Sequence, residues 1–125
     1  MTTGTLVTNL GKLIALNRTF LASPTYTAPA NMKAGTGVTA PSAADTNLTA
    51  SVITKAITLT SFDDPNLNVT TQGVLLTTEA NGNTISEFGL VNSDGTPKLF
   101  SHAVFMGIVK NASVQIIFTE KDQIT

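Results

Sequence analysis

The second half of this chain is a succession of short Thr-, Val- and Ile-rich runs cut by clusters of Asn, Asp, Gly and Pro. That rhythm restricts the fold more than any other feature. From Ser51 onward Ile53, Ile57 and Leu59 recur at even spacing in a Thr-rich background, and β-branched side chains suit a pleated surface better than a helix. A strand is expected there, then a turn at Asp63-Asp64-Pro65-Asn66 and further strands over Val69 to Thr78, Thr84 to Val91, Pro97 to Met106 and Ser113 to Thr119. The separators Asn81-Gly82-Asn83 and Asn92-Ser93-Asp94-Gly95 carry the Asn-Gly and Asp-Gly chemistry that supplies φ > 0 in tight hairpins. The pattern predicts an antiparallel meander, with Gly95 as a left-handed turn residue.

In the last of these strands Val114, Ile116 and Phe118 face one way and Gln115, Ile117 and Thr119 the other. Leu99, Ser101, Ala103 and Phe105 likewise alternate with Phe100, His102, Val104 and Met106, so both faces carry apolar groups. Two apolar faces predict a sandwich, or burial of the second face by another subunit. The expected fold is mainly β, an antiparallel β-sandwich with a short N-terminal helix, in one domain over residues 1–125.

The first 22 residues read as a helix or arm. Leu6, Leu10, Leu13 and Ile14 lie on one helical face and predict a helix over Thr5 to Leu16, although Gly11 costs about 1 kcal/mol relative to Ala. A strand through Lys12 to Leu16 is the alternative. Pro24, Pro29, Gly35 and Gly37 then punctuate an Ala/Thr/Pro/Ser-rich stretch from Ser23 to Ala44, which reads as an extended, turn-rich crossing. At Pro41-Ser42-Ala43-Ala44-Asp45 a capping pattern predicts one or two helical turns ending near Leu48.

Charged residues make up 12% of the chain, against roughly 25% in an ordinary soluble domain. So little charge predicts a surface largely covered by neighbours, that is, a homo-oligomer or a subunit of a larger assembly. A net charge of -1 gives no electrostatic footprint for nucleic acid. No apolar run approaches the roughly 18 to 20 residues that span a bilayer, and the start lacks the pattern of a secretory signal. A chain made in a cytosol, without membrane or nucleic-acid partners, is expected. With no cysteine there is neither a disulfide framework nor a thiolate metal site.

Residues capable of chemistry are few. Ser101, His102 and Asp94 make no triad, because strand neighbours point to opposite faces and no nucleophile elbow is present. His102, the single histidine, reads as a half-exposed strand residue in an interface. The acidic residues fall in turns (Asp63, Asp64, Asp94) or near the end (Glu120, Asp122), as solvated groups do rather than a converging acid/base pair. Asp64-x-Asn66-x-Asn68 has the first oxygen spacings of a calcium loop without its Gly and distal Glu. Gly35-Thr36-Gly37 lacks the remainder of a nucleotide fingerprint and makes no phosphate cradle. Glu87 lies between Ile85 and Phe88, so partial burial is expected, with Lys110, Lys98 or Arg18 as its partner. No catalytic, cofactor-binding or metal-ligating residue is expected, and no cofactor.

The order of the motifs carries a resemblance. Asn31 to Leu48, with Gly35-Thr36-Gly37, Pro41 and Asp45-Thr46-Asn47-Leu48, is followed by Glu79-Ala80-Asn81-Gly82-Asn83-Thr84-Ile85-Ser86-Glu87-Phe88-Gly89-Leu90. Then come Leu99-Phe100-Ser101-His102, Gly107-Ile108-Val109-Lys110 and the closing run Val114 to Phe118. From about Thr8 to Thr119 this arrangement resembles small structural proteins of tailed bacteriophage particles, a family associated with tail fibres and baseplates. His102 stands where that pattern more often has Arg, which bears on any ion pair of Glu87. The resemblance implies a non-enzymatic virion protein, assembled in the host cytoplasm among other phage virion proteins, that connects or supports tail fibres. A capsid decoration protein is the alternative. A carbohydrate- or receptor-binding module is weaker, since the chain has no Trp and one Tyr, Tyr26, while sugar sites use aromatic platforms.

Overall fold

The structure, a computed structural model, describes residues 5–123. Its elements are β1 (Leu6–Val7), α1 (Asn9–Phe20), β2 (Pro29–Gly35), β3 (Ser51–Ala56), β4 (Thr58–Asp63), β5 (Asn68–Leu75), β6 (Thr84–Asn92), β7 (Ser101–Val109) and β8 (Ile116–Gln123). They form two antiparallel sheets, a five-stranded one ordered β1-β7-β6-β2-β3 and a three-stranded one ordered β4-β5-β8. The expected β-sandwich with a short N-terminal helix is what the chain forms.

The core lies between the sheets. Met32 and Ala34 of β2, Ile85, Phe88 and Leu90 of β6 and Ala103 and Phe105 of β7 meet Leu75 of β5 and Ile116 and Phe118 of β8. Phe88 anchors it, with its ring centroid 4.9 Å from that of Phe118 and 6.3 Å from that of Phe105. Such tilted aromatic pairs add stabilisation beyond the area they bury.

Several local expectations are corrected. The helix begins four residues later than the periodicity indicated, because Thr8 caps it: its Oγ1 accepts from the Gly11 amide at 3.0 Å and donates to the Leu99 carbonyl at 2.5 Å. Leu6 and Val7 instead extend the large sheet, opposite His102 and Ser101. The helix buries Gly11 and Ile14, not a leucine face, and leaves Leu13, Leu16 and Phe20 exposed. Gly11 has a packing reason, since a Cβ there would lie 2.2 Å from the Phe100 carbonyl oxygen. Only a glycine lets the helix sit that close to the sheet.

The stretch read as a turn-rich crossing contains β2, an interior strand paired with both β3 and β6. Its sequence, PANMKAG, has no β-branched residue. Burial of Met32 and Ala34 on the core face holds it in place, and Pro29 occupies the first position, where a missing N–H is tolerated. The predicted helix at 41–48 is a turn. Its capping bonds are nevertheless made: the Ser42 amide donates to Asp45 Oδ2 at 2.8 Å and the Ala44 amide to Ser42 Oγ at 3.2 Å.

The chain does not run as a simple meander. β4–β5 and β6–β7 are hairpins, but Asn81-Gly82-Asn83 carries the chain from one sheet to the other, since β5 pairs with β4 and β8, and β6 with β2 and β7. Gly82 takes the positive φ there, 87°. Gly95 is not among the positive-φ residues, and no atom lies within 4 Å of where its Cβ would be. The β6–β7 connection closes wider than a tight turn, through Asn92 N to the Lys98 carbonyl at 3.1 Å and a Val91–Leu99 bridge.

Candidate functional site

Two clusters of buried polar groups lie on opposite faces of the large sheet. The outer cluster centres on Glu87, which is fully buried. The segment 36–50 crosses this face and turns backbone donors onto the carboxylate: Gly37 N at 3.0 Å, Ala50 N at 2.7 Å and Thr49 N at 3.1 Å. Gly35 and Gly37 leave room for it, because a Cβ at either would come within 2.7 Å of Glu87 Oε1. The glycine pair that resembled a truncated phosphate cradle thus cradles the protein's own carboxylate. Ser86 Oγ also donates to the Gly37 carbonyl at 2.7 Å.

His102 completes the cluster and is 1% exposed rather than half-exposed. Its Nε2 lies 2.8 Å from Glu87 Oε2 and its Nδ1 2.7 Å from Asp45 Oδ2. The expected Lys110, Lys98 or Arg18 is not the partner of Glu87. Lys110 Nζ donates to Asn81 Oδ1, Lys98 to Asp94, and Arg18 to the Tyr26 carbonyl. Burial raises the Glu87 carboxyl, but the bonds from Ala50, His102, Thr49 and Gly37 outweigh it and hold the group below its ordinary range. Asp45 is lowered first by the Ser42 amide, against partial desolvation, and then by His102.

Both ring nitrogens of His102 are thus engaged by carboxylates, and neither faces open space where a ligand could approach. Ser101, the neighbouring residue, points into the sandwich, where its Oγ donates to Glu120 Oε2 at 2.8 Å, while Asp94 is held by Thr27, Asn92 and Lys98. The three do not converge. The outer cluster clamps the 36–50 segment to the sheet and offers no poised reactive group.

The inner cluster corrects the reading of the terminal acids as solvated. β8 runs on past Thr119, so its core face continues from Ile116 and Phe118 to Glu120 and then Asp122. The two carboxyls lie two residues apart on that face and act on each other electrostatically. Burial first, and then the charge of Asp122, push Glu120 far above the carboxylate range, while burial also raises Asp122. Glu120 therefore holds its proton near neutrality, as a carboxyl buried beside a second one does. Beside it Thr71, opposite Glu120 in the β5–β8 register, is buried with its Oγ1 unbonded, as is Glu120 Oε1.

A cleft opens beside this pair between α1 and the small sheet. One compartment of about 600 Å³ is walled by apolar groups such as Ile14, Ile57, Leu59 and Phe100, with Thr71 and Asp122 among its lining. A second, of about 400 Å³, is lined by Phe62, Leu67, Asp63 and Asp64. Both share Ala15, Val69, Phe100 and Asp122, so Asp122 stands where they meet. Sequence reasoning missed this site by ending the strand at Thr119. The signal was available in the period of two carried on through Glu120 and Asp122.

Among the described residues no group of three or more His, Asp or Glu side chains is placed to hold a metal ion. The calcium-like spacing at Asp64 is a hairpin turn, in which Asp63 accepts from the Asn66 amide at 3.3 Å and from its side chain at 2.9 Å. No helix among the described residues is long and apolar enough to cross a membrane. Comparison with known protein families, curated proteins and solved structures finds no match to this chain.

Proposed function

We propose that the chain is a non-enzymatic structural subunit of a tailed bacteriophage particle, a tail or baseplate component that connects or supports tail fibres by binding other virion proteins. The observation that carries the assembly part of this reading is the exposed apolar surface. Phe20, Phe62 and Met106 are 76%, 75% and 88% exposed, and Leu16, Leu59, Leu67, Val109 and Ile117 are each more than half exposed. On a chain with 12% charged residues, such groups call for a protein neighbour. The order of motifs from Asn31 to Phe118 supports the phage part.

Sedimentation velocity at tens of micromolar tests the assembly part: self-association, or a complex with a co-expressed virion protein, is expected, and a monomer that binds no such protein overturns it. Cryo-electron microscopy of the particle tests the location. Density for this fold at the tail or baseplate upholds the reading, and density on the head surface transfers it to a capsid decoration role.

A further inference from the structure

Lys110 is fully buried and forms no ion pair among the described residues. Its Nζ donates to two neutral oxygens, Asn81 Oδ1 at 2.7 Å and the Asn111 carbonyl at 3.1 Å. Glu79 acts on it only from further off, because one of its carboxylate oxygens pairs with Lys55 and the other accepts from the Leu76 amide at 2.9 Å. Removing an ammonium from water is costly unless an opposite charge meets it. Neutral oxygens offset only part of that cost.

The acceptor at 2.7 Å belongs to the only asparagine of this chain that a glycine follows. Asn-Gly is the dipeptide in which a carboxamide is most readily lost. The glycine nitrogen, unhindered by a side chain, bonds to the asparagine Cγ, the Cγ–Nδ2 bond breaks, and Nδ2 leaves as ammonia. Water then opens the five-membered imide, at Cγ to give aspartate or at the main-chain carbonyl to give isoaspartate. Asn81 and Gly82 are both exposed, and no atom lies within 4 Å of where a Gly82 Cβ would be, so nothing crowds the ring. Three bonds delay its closure: the Gly82 amide donates to the Lys110 carbonyl at 3.0 Å, Asn81 Nδ2 donates to the Thr77 carbonyl at 2.9 Å, and Lys110 holds Oδ1. Closure therefore waits on local opening of an exposed turn and is slower than in the unfolded chain.

We propose that Asn81 is a site of spontaneous deamidation whose aspartate product is captured by Lys110, so that the modification supplies the counter-ion the buried ammonium lacks. A carboxylate gives the ammonium a charge–charge attraction that a neutral oxygen cannot, and burial strengthens it by keeping water away. The bond forfeited with Nδ2, to the Thr77 carbonyl, is exposed, and water replaces it. Opening at Cγ leaves the main chain unchanged. Isoaspartate instead adds a methylene to the backbone before Gly82 and pulls its amide away from the Lys110 carbonyl. The fold thus favours aspartate, and the aspartate form is the more stable one.

The test ages the full chain at mildly alkaline pH, folded and in urea, and reads it by intact mass and peptide mapping. Asn81 is expected to gain the mass of a carboxamide-to-carboxylate exchange, more slowly in the folded chain and with a larger share of aspartate over isoaspartate than in urea. Asn81→Asp should melt about 4 °C above the wild type. By carboxyl NMR its new side chain should titrate below the ordinary aspartate value of about 3.9. In a Lys110→Met background the same substitution should bring no rise, and the titration reads the pairing even where that variant fails to fold.

An Asn81→Asp chain that melts at or below the wild type, or whose new carboxyl titrates at or above the ordinary value, overturns capture by Lys110. So does an aspartate share no larger in the folded chain than in urea. Asn81 that stays intact in the folded chain while the unfolded chain is converted overturns the site itself. Loss of ammonia without uptake of water, in a product that joins the peptides carrying Asn81 and Lys110, overturns the proposal in favour of a lysine–carboxamide cross-link.

Discussion

Glu87 of β6 and His102 of β7 are held 2.8 Å apart on the outer face of the large sheet, and that contact fixes a 15-residue segment, 36–50, that belongs to neither strand. Buried ion pairs are weak sources of net stability, yet removing one partner strands the other. Glu87→Ala strips one acceptor from three backbone amides and from His102 at once. A loss of about 3–5 kcal/mol is expected in urea denaturation. A loss under about 1 kcal/mol would show that the clamp is not needed.

His102→Asn is expected to cost less, about 2–3 kcal/mol, because Glu87 keeps its donors from Gly37, Thr49 and Ala50. Hydrogen exchange should then speed up at those amides before it does at the core of β6. Uniform exchange across the chain would contradict a local clamp.

Stability has opposite pH trends on the two faces. Asp45, Glu87 and Asp94 are lowered, Asp94 to about 2 by the Thr27 amide against desolvation, so the unfolded chain binds their protons more tightly. Their contribution is complete above the ordinary carboxylate range and is lost as the pH falls through the native values. Glu120, pushed up to about 9 by burial and by Asp122, retains a proton that the unfolded chain has released. Stability therefore declines as pH rises from about 5 to 9, by at most about 1.4 kcal/mol per unit for one proton. Thermal melts across this range should peak near pH 5, and Glu120→Gln should flatten the alkaline limb. A wild-type plateau from pH 5 to 9 would count against a proton held on Glu120.

Gly11→Ala sets helix propensity against packing. Alanine gains about 1 kcal/mol in a free helix, but its Cβ would meet the Phe100 carbonyl oxygen at 2.2 Å. A net destabilisation of about 1–3 kcal/mol is expected from displacing backbone against backbone. A higher melting temperature would show that α1 can move away from the sheet.

Leu67 adopts φ 55° in the β4–β5 turn, a strained conformation for a branched side chain. Leu67→Asn should stabilise the fold by about 0.5–1 kcal/mol, whereas Gly95→Val, where the added Cβ meets open space, should leave the melting temperature unchanged. A destabilised Leu67→Asn would mean that the Leu67 side chain contributes more through packing than its backbone loses through strain.

Local chemistry made much of the β framework legible. The strand over Thr84 to Val91 was visible because its apolar and β-branched residues leave no other use for that run, and the turn at Asp63 to Asn66 because Asx and Pro residues prefer it. The acid pair was half legible: Ile116 and Phe118 set a face, and Glu120 and Asp122 lie on its continuation. Nothing in a carboxylate's identity says that a strand will carry it into a core.

The sequence by itself determined that the chain would be β-rich, poor in charge and built on both apolar faces of its later strands, because alternation and turn chemistry act between near neighbours. The tertiary structure alone decided that PANMKAG would become an interior strand, that the chain would change sheets at Gly82, and that Glu87 would find its donors 37 to 50 residues away. Those donors are backbone N–H groups, which almost every residue has. Only the path of the folded chain singles out the ones at Gly37, Thr49 and Ala50.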